Sequence, residues 1–260
     1  DVDLYPRLQE MATENPLVIE TKLLKSIITE TAFAASLQES RPILTGVHMV
    51  LSDHKDFKAV ATDSHRMSQR KLTLDNTSND FNVVIPSKSL REFAAVFTDD
   101  IETVEVFFSD SQMLFRSDYI SFYTRLLEGN YPDTDRLLTN SFETEVTFNT
   151  GALRSAMERA HLISNATQNG TVKLEITNNS ISAHVNSPEV GKVNEELDII
   201  DQSGSDLTIS FNPTYLIEAL KALKSETVVI RFISPVRPFT LMPGDDAENF
   251  IQLITPVRTN

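Results

Sequence analysis

The feature that most limits how this chain can fold is an internal duplication. Residues 20–36 read ETKLLKSIITETAFAAS, and residues 149–165 read NTGALRSAMERAHLISN. Both are amphipathic at helical spacing, with Leu24, Ile27, Ile28 and Thr31 on one stripe and Leu153, Met157, Ala160 and Ile163 on the other. An alternating stretch follows each segment, at residues 47–63 and 172–187. Each is interrupted by polar residues, Ser52-Asp53-His54-Lys55 in one and Asn178-Asn179 in the other, which predicts two hairpins. A second matched pair of helices is expected from Ser87 to near Phe97 and from Asn212 to near Lys224. Ser87 and Asn212 are the expected N-caps, because a side-chain oxygen there can accept from a free helical N–H. Pro213 suits the first helical position, where its missing donor would be unpaired anyway. Strand patterns close both halves: Thr103 to Phe108 matches Thr227 to Phe232, followed by Tyr119 to Leu127 and Phe250 to Val257.

Elements that recur in the same order and spacing imply a duplicated domain. The expected fold is α+β, two tandem copies of one domain, each with two helices packed on antiparallel sheets. The expected divisions are a linker remnant at 1–15, a first domain at 16–138 and a second at 139–260. The chain begins with Asp rather than Met, so the N-terminus is expected to have been removed or never included.

Several chemistries are excluded. There is no cysteine, hence no disulfide and no thiol catalysis. Seven glycines stand too far apart for a dinucleotide fingerprint or a P-loop. The five histidines lack zinc-ligand spacing, and there is no apolar run of membrane-spanning length. No cofactor or metal is expected. A net charge of −14 argues against a tight grip on phosphates. One cluster, Asp63-Ser64-His65-Arg66, looks like catalytic equipment. Neighbours in an extended chain point to opposite faces, however, and a working triad needs mutual hydrogen-bond reach. A binding surface accounts better for this density of His and Arg. A hydrolase and a generic α+β interaction module with no DNA role remain as alternatives.

Three motifs stand in order along the chain: Ala61-Thr62-Asp63-Ser64-His65-Arg66-Met67, Glu128-Gly129-Asn130-Tyr131-Pro132-Asp133 and Leu253-Ile254-Thr255-Pro256-Val257-Arg258. With them the chain resembles the bacterial DNA polymerase III beta subunit, the sliding-clamp family, from about Pro16 to Arg258. Gln38 to Gly46 and Ser164-Asn165 support it. It implies three copies of the DNA-clamp domain per subunit, of which this chain resembles the second and third. Two full-length subunits would close head to tail around duplex DNA, with helices lining the hole. The implied activity is a non-catalytic tether, a cytoplasmic bacterial processivity factor that holds polymerases, the clamp loader and repair proteins on DNA. This chain alone is expected to be a monomer, with Leu162 and Ile163 of an intersubunit surface left exposed. The four helical segments each carry +1, together +4, which leaves −18 for the remainder. A mildly basic wall within an acidic body suits sliding, since stronger charge would grip the phosphates.

The resemblance further implies a groove that takes short partner tails with a Gln and bulky apolar anchors. Its lining would be Leu44, Thr62, Ser64, His65, Arg66, Met67, Pro132, Arg136, Leu137, Leu253, Pro256, Val257 and Arg258. Gln38, Arg41 and Lys88 would approach DNA. Two departures from the family pattern are Ser64, where many members have Gly, and Thr259-Asn260 beyond Arg258.

Overall fold

The computed structural model describes residues 14–75, 79–139, 141–164, 170–178, 180–187 and 191–258. The first half runs β1 (Leu17–Glu20), α1 (Thr21–Thr31), β2 (Gly46–Ser52), β3 (Asp56–Thr62), β4 (Arg66–Thr73) and β5 (Phe81–Pro86). It continues with α2 (Ser87–Val96), β6 (Thr103–Phe108), β7 (Gln112–Arg116) and β8 (Ser121–Arg125). The second half repeats this order: β9 (Thr144–Asn149), α3 (Thr150–Ser164), β10 (Val172–Ile176), β11 (Ile181–Ser187) and β12 (Gly191–Leu197). A short β13 (Asp201–Gly204) is added before β14 (Leu207–Phe211), α4 (Pro213–Ala222), β15 (Thr227–Phe232), β16 (Phe239–Pro243) and β17 (Phe250–Ile254). The expected element series is thus observed in both halves. Most of the N-terminal linker, Asn165, the Asn179 turn and Thr259-Asn260 lie outside the described residues.

The apolar stripes do what their spacing demands. Leu24, Ile27, Ile28 and Thr31 are buried, as are Leu153, Met157 and Ala160, while Ile163 is half-buried against the second core. The β2–β3 hairpin turns through Asp53 and His54, at φ 52° and 61°. Both backbone N–H groups donate to the Asp80 carboxylate, which holds this left-handed turn in place. Phe93, Phe97 and Phe115 stack at the centre of the first core. In the second, Phe211 meets Phe239 edge-on and Phe232 lies tilted against Phe239. Each fully buried aromatic side chain contributes roughly 1.5–3 kcal/mol. Phe33, just after α1, packs against both cores.

The two N-cap expectations part company. Asn212 caps α4, its side chain accepting from the Thr214 N–H at 2.9 Å. Ser87 is instead the first residue of α2, Pro86 stands at the cap, and no side chain caps that helix. The Ser87 hydroxyl accepts from Arg91 at 2.9 Å, one turn along. Pro86 has no side-chain oxygen with which to cap the helix, and the Ser87 hydroxyl, already inside the first turn, meets the Arg91 side chain instead.

Three sheets are formed, ordered β1-β6-β7-β8, β12-β11-β10-β14 and β13-β9-β15-β16-β17-β4-β3-β2-β5. The nine-stranded sheet is where the halves fuse: β17, closing the second, pairs antiparallel with β4 of the first. By the repeat, β8 and β12 correspond to β17 and β4, and both are sheet edges among the described residues. No described helix is long and apolar enough to cross a membrane.

The caps differ enough to be measured. Asn212→Ala is expected to cost about 1 kcal/mol and lower the melting midpoint by about 3 °C. Ser87→Ala should shift it by less, as followed by far-UV circular dichroism.

Candidate functional site

The β4–β17 junction has two faces, because successive strand residues point to opposite sides. Arg66, Ser68 and Arg70 of β4 face the helices. Met67, Gln69 and Lys71 face the other way. In β17, Leu253 lies opposite Met67 and Ile254 opposite Arg66. The junction extends past the strands, since the Thr255 N–H donates to the His65 carbonyl at 2.8 Å.

On the helix face the halves are fastened by polar groups. The Arg66 guanidinium bonds the Asp63 carboxylate at 3.1 Å, the Phe33 carbonyl at 2.9 Å and Glu218 of α4. It also sits 5.4 Å from the Phe33 ring centre and 4.9 Å from that of Tyr215. Phe33 belongs to the first half and Tyr215 to the second, so the cation is held between rings from both. Arg70 of the first half also pairs with Asp246 of the second, while Ser68 and Arg70 contact Glu30 within the first half and the Gln252 amide donates to the Ala219 carbonyl within the second. Lys224 donates to Ser26 at 2.8 Å. Arg66 thus faces away from Met67, and its described bonds are to its own chain.

The opposite face is apolar. Val60, Met67 and Leu253 form a buried cluster closed over by Tyr131 and Leu138. Met67 is only 1% exposed and Leu253 only 5%, so the cluster is shut. Tyr131 accepts from the Thr62 N–H at 3.0 Å and stacks on His48, ring centres 4.9 Å apart. Burial drives the Tyr131 hydroxyl far above its ordinary pKa, so it stays protonated. The same segment is fastened by the Asp135–Lys58 ion pair at 2.8 Å. That bond, supplemented by the charge of Lys71, holds the Asp135 carboxyl below its usual range. The Gln69 side-chain oxygen, buried between Met67 and Lys71 on this face, has no hydrogen-bond partner among the described residues.

The Asp63–Arg66 turn contains no catalytic relay. Asp63 accepts from the backbone N–H groups of His65 and Arg66 and from the Arg66 side chain. The Ser64 hydroxyl accepts from Arg41 at 2.8 Å, and the His65 ring stacks on Tyr215. No described bond joins the three side chains. Ser64 has φ 79°, a left-handed conformation natural to glycine, so the departure noted in the sequence falls on a strained position.

The residues carried over from the family are thus partly assembled. Thr62, Met67 and Leu253 share the closed face, with Leu44 buried in a short 3-10 turn, Pro42–Thr45. Pro132, Arg136 and Leu137 lie on the exposed segment beside it, where Arg136 pairs with Asp133 at 2.7 Å. Ser64 and His65 are exposed, Pro256 is half-buried, and Val257 and Arg258 are exposed on the tail. The Val257 N–H donates to the Ser210 carbonyl at 2.7 Å, which ties that tail to β14. Gln38 and Arg41 are exposed before that 3-10 turn, and Lys88 is exposed in the first turn of α2. Arg41 turns toward Ser64, and no described bond links it to Lys88 or Gln38 beyond its own backbone turn. Sequence reasoning left out Val60, Tyr131 and Leu138. Val60 was reachable, since it sits two residues before Thr62 and so on the same face.

The helix faces are less basic than their sequences. Lys25 pairs with Asp99, Arg159 with Glu195 and Lys221 with Glu158. Lys22, Lys88, Arg154 and Lys224 have no carboxylate within ion-pair distance among the described residues.

Residues 18–133 match the family model of the DNA polymerase III beta subunit central domain, and residues 135–258 that of its C-terminal domain. The beta sliding clamp of Streptococcus pneumoniae is 71% identical over 260 residues, which cover all of this chain and 69% of that protein. The beta sliding clamp of Staphylococcus aureus is 39% identical over 260 residues, 68% of its length. The crystal structure of the beta subunit from DNA polymerase of Streptococcus pyogenes superposes with a TM-score of 0.97 at 84% identity, covering this whole chain and 70% of that one. The sliding clamp of Bacillus subtilis superposes at 0.95 with 40% identity, covering all of this chain and 68% of that one.

Two outcomes are expected. Arg66→Ala leaves Glu218 and Asp63 without their cation and should destabilise the chain by about 3 kcal/mol in urea unfolding, less if water reaches the half-exposed Glu218. Arg66→Lys should recover only part of this, lacking the planar fork. His48, lowered from its ordinary 6.5 chiefly by burial and partly restored by Asn82, is favoured neutral in the fold. The unfolded chain therefore binds the extra proton first, so stability is full above about pH 6.5 and falls as pH drops through the folded value. His48→Phe should remove that part of the slope while keeping a ring against Tyr131.

Proposed function

Because the chain belongs to the DNA polymerase III beta subunit family of beta sliding clamps, we propose that its interlobe seam captures short tails of replication and repair proteins. A beta clamp is a DNA-replication processivity factor that encircles duplex DNA and is not a catalytic subunit. This chain carries two tandem clamp domains of that kind, and we place their boundary near residue 138.

The observation that carries the tail-binding reading is the register of β4 against β17, which sets Met67 beside Leu253 on an apolar face. A tail of the Gln-Leu-x-Leu-Phe kind would seat its apolar anchors there, beside Leu44, Thr62, Pro132, Leu137, Pro256 and Val257. A few polar groups at the rim, Ser64, His65, Arg136 and Arg258, would fix its direction. The closed state of the cluster means that Leu138 and its neighbours swing aside to admit the anchor. Arg66 acts from behind the sheet, by holding the seam in shape. The tails belong to polymerases, the clamp loader and repair proteins.

For DNA, the reading assigns the helix face, with Gln38, Arg41 and Lys88, supplemented by Lys22 and Lys224. Four cations without an ion-pair partner among the described residues, in a body of net charge −14, support contact that is weak, non-specific and salt-sensitive. The edges β8 and β12 repeat the two partners of the seam, which supports joining of further copies of the domain edge to edge into a closed, homodimeric ring. Leu162, 73% exposed at the end of α3, lies in the half that carries the β12 edge. The bacterial cytoplasm is the compartment this reading implies.

Calorimetric titration with a Gln-Leu-x-Leu-Phe peptide should give micromolar affinity. Removing residues 256–260, or Met67→Ala in folded material, should weaken it by about tenfold, or 1.4 kcal/mol. No heat at millimolar peptide would sink the assignment. The 260-residue chain should scatter light as a monomer, and a stable closed dimer would overturn that part.

A further inference from the structure

The outer face of the nine-stranded sheet does not end at the apolar cluster. Lys58 of β3 and Lys71 of β4 are register partners and point to the same side as Met67. Like charges placed directly opposite each other on a sheet repel, so such a pair needs a counter-charge. Asp135 supplies one, bonded to Lys58 at 2.8 Å. Lys71 is exposed and has no carboxylate within ion-pair distance among the described residues. The pair lines a hollow of about 360 Å³ with Val50, Ser52, Thr73 and Asn249. Asp56 also lines it, without an ion-pair partner among the described residues, and its charge lies toward the far end, opposite Thr73.

We propose that Lys58 and Lys71 form an acidic-residue subsite that extends the seam, taking a carboxylate side chain of the same partner tail whose apolar anchors seat at Met67 and Leu253. The inference rests on the tail-binding reading and adds a specificity that reading lacks. Lys58 already has Asp135, and the incoming carboxylate supplies the anion that Lys71 lacks within ion-pair distance among the described residues. Lys71 is four residues from Met67 on one strand, about 13 Å at the rise of a β-strand. An extended tail spans that distance in about four residues. The carboxylate therefore belongs about four positions from the apolar anchor. Because Asp135 belongs to the segment that shuts the cluster, a rival carboxylate on Lys58 also loosens that fastening. Nucleic-acid phosphate is the other anion to consider. The lysines stand on the sheet face opposite the helices, which favours the peptide.

The test uses the 260-residue chain and three peptides: the neutral anchor peptide, and the same peptide with two Asp residues placed about four positions before or after the anchor. One acidic peptide should bind about three- to fivefold tighter than the neutral one at low salt, an advantage fading by 0.5 M salt, on the order of one exposed ion pair. Lys71→Ala, a surface change, should abolish that advantage and leave neutral-peptide affinity unchanged. Equal binding of all three peptides, or an advantage that survives Lys71→Ala, overturns the subsite while leaving the seam reading intact. Silence from every peptide overturns both. A duplex DNA titration completes the set: if Lys71→Ala weakens DNA rather than acidic-peptide binding, the pair is a phosphate contact and the proposal fails.

Discussion

The pairing of β17 with β4 is the interaction on which the rest of this molecule depends. It fuses two domains that each have their own core into one nine-stranded sheet. Backbone hydrogen bonds set the register, but they would tolerate a slip of two residues with the same faces preserved. The helix-side contacts remove that freedom. Arg66 can reach Glu218, Phe33 and Tyr215 together only when Ile254 stands opposite it. Arg70, four residues along β4, reinforces the same register by reaching Asp246 of the second half. Buried and half-buried polar contacts of this kind add little net stability over an apolar filling, and their value lies in specifying one alignment.

That alignment is what gives the outer face its character. Shifting β17 would part Leu253 from Met67, and the apolar cluster would lose one wall. A rigid back and a coverable front are a sensible division of labour for a protein that must hold partners without reacting with them. The back is fixed by charge and aromatic contact. The front is shut by Tyr131 and Leu138, held by the hydrogen bond from the Thr62 N–H to the Tyr131 hydroxyl, the ring stack on His48 and the Asp135–Lys58 ion pair. Such fastenings are individually weak, so the cover can open at modest cost.

Helix positions, hairpins and the duplication were legible because they rest on local periodicity. Leu24, Ile27 and Ile28 must share a face in any helix, and residues 47–63 must alternate in any strand. The cap at Asn212 was legible for the same reason, while Ser87 was misplaced by one position because Pro86 and Ser87 both suit a helix start. The candidate site was legible only through family motifs. Nothing in the order of Asp63, Ser64, His65 and Arg66 says that Arg66 turns from the groove to bind α4, or that Ser64 takes Arg41. Glu218 lies 152 residues away from Arg66, and no local pattern connects them.

The sequence by itself determined two similar α+β units, their internal strand and helix order, an acidic body with a slightly basic set of helices, and the absence of cysteine chemistry. These follow from side-chain volume, polarity and spacing along one stretch of chain. Only the tertiary structure decided which strand of one unit meets which strand of the other, which of two faces each seam residue takes, and which cations are already neutralised. Those outcomes depend on groups brought together across long loops, where the energy of a contact is set by burial and geometry that no single segment contains.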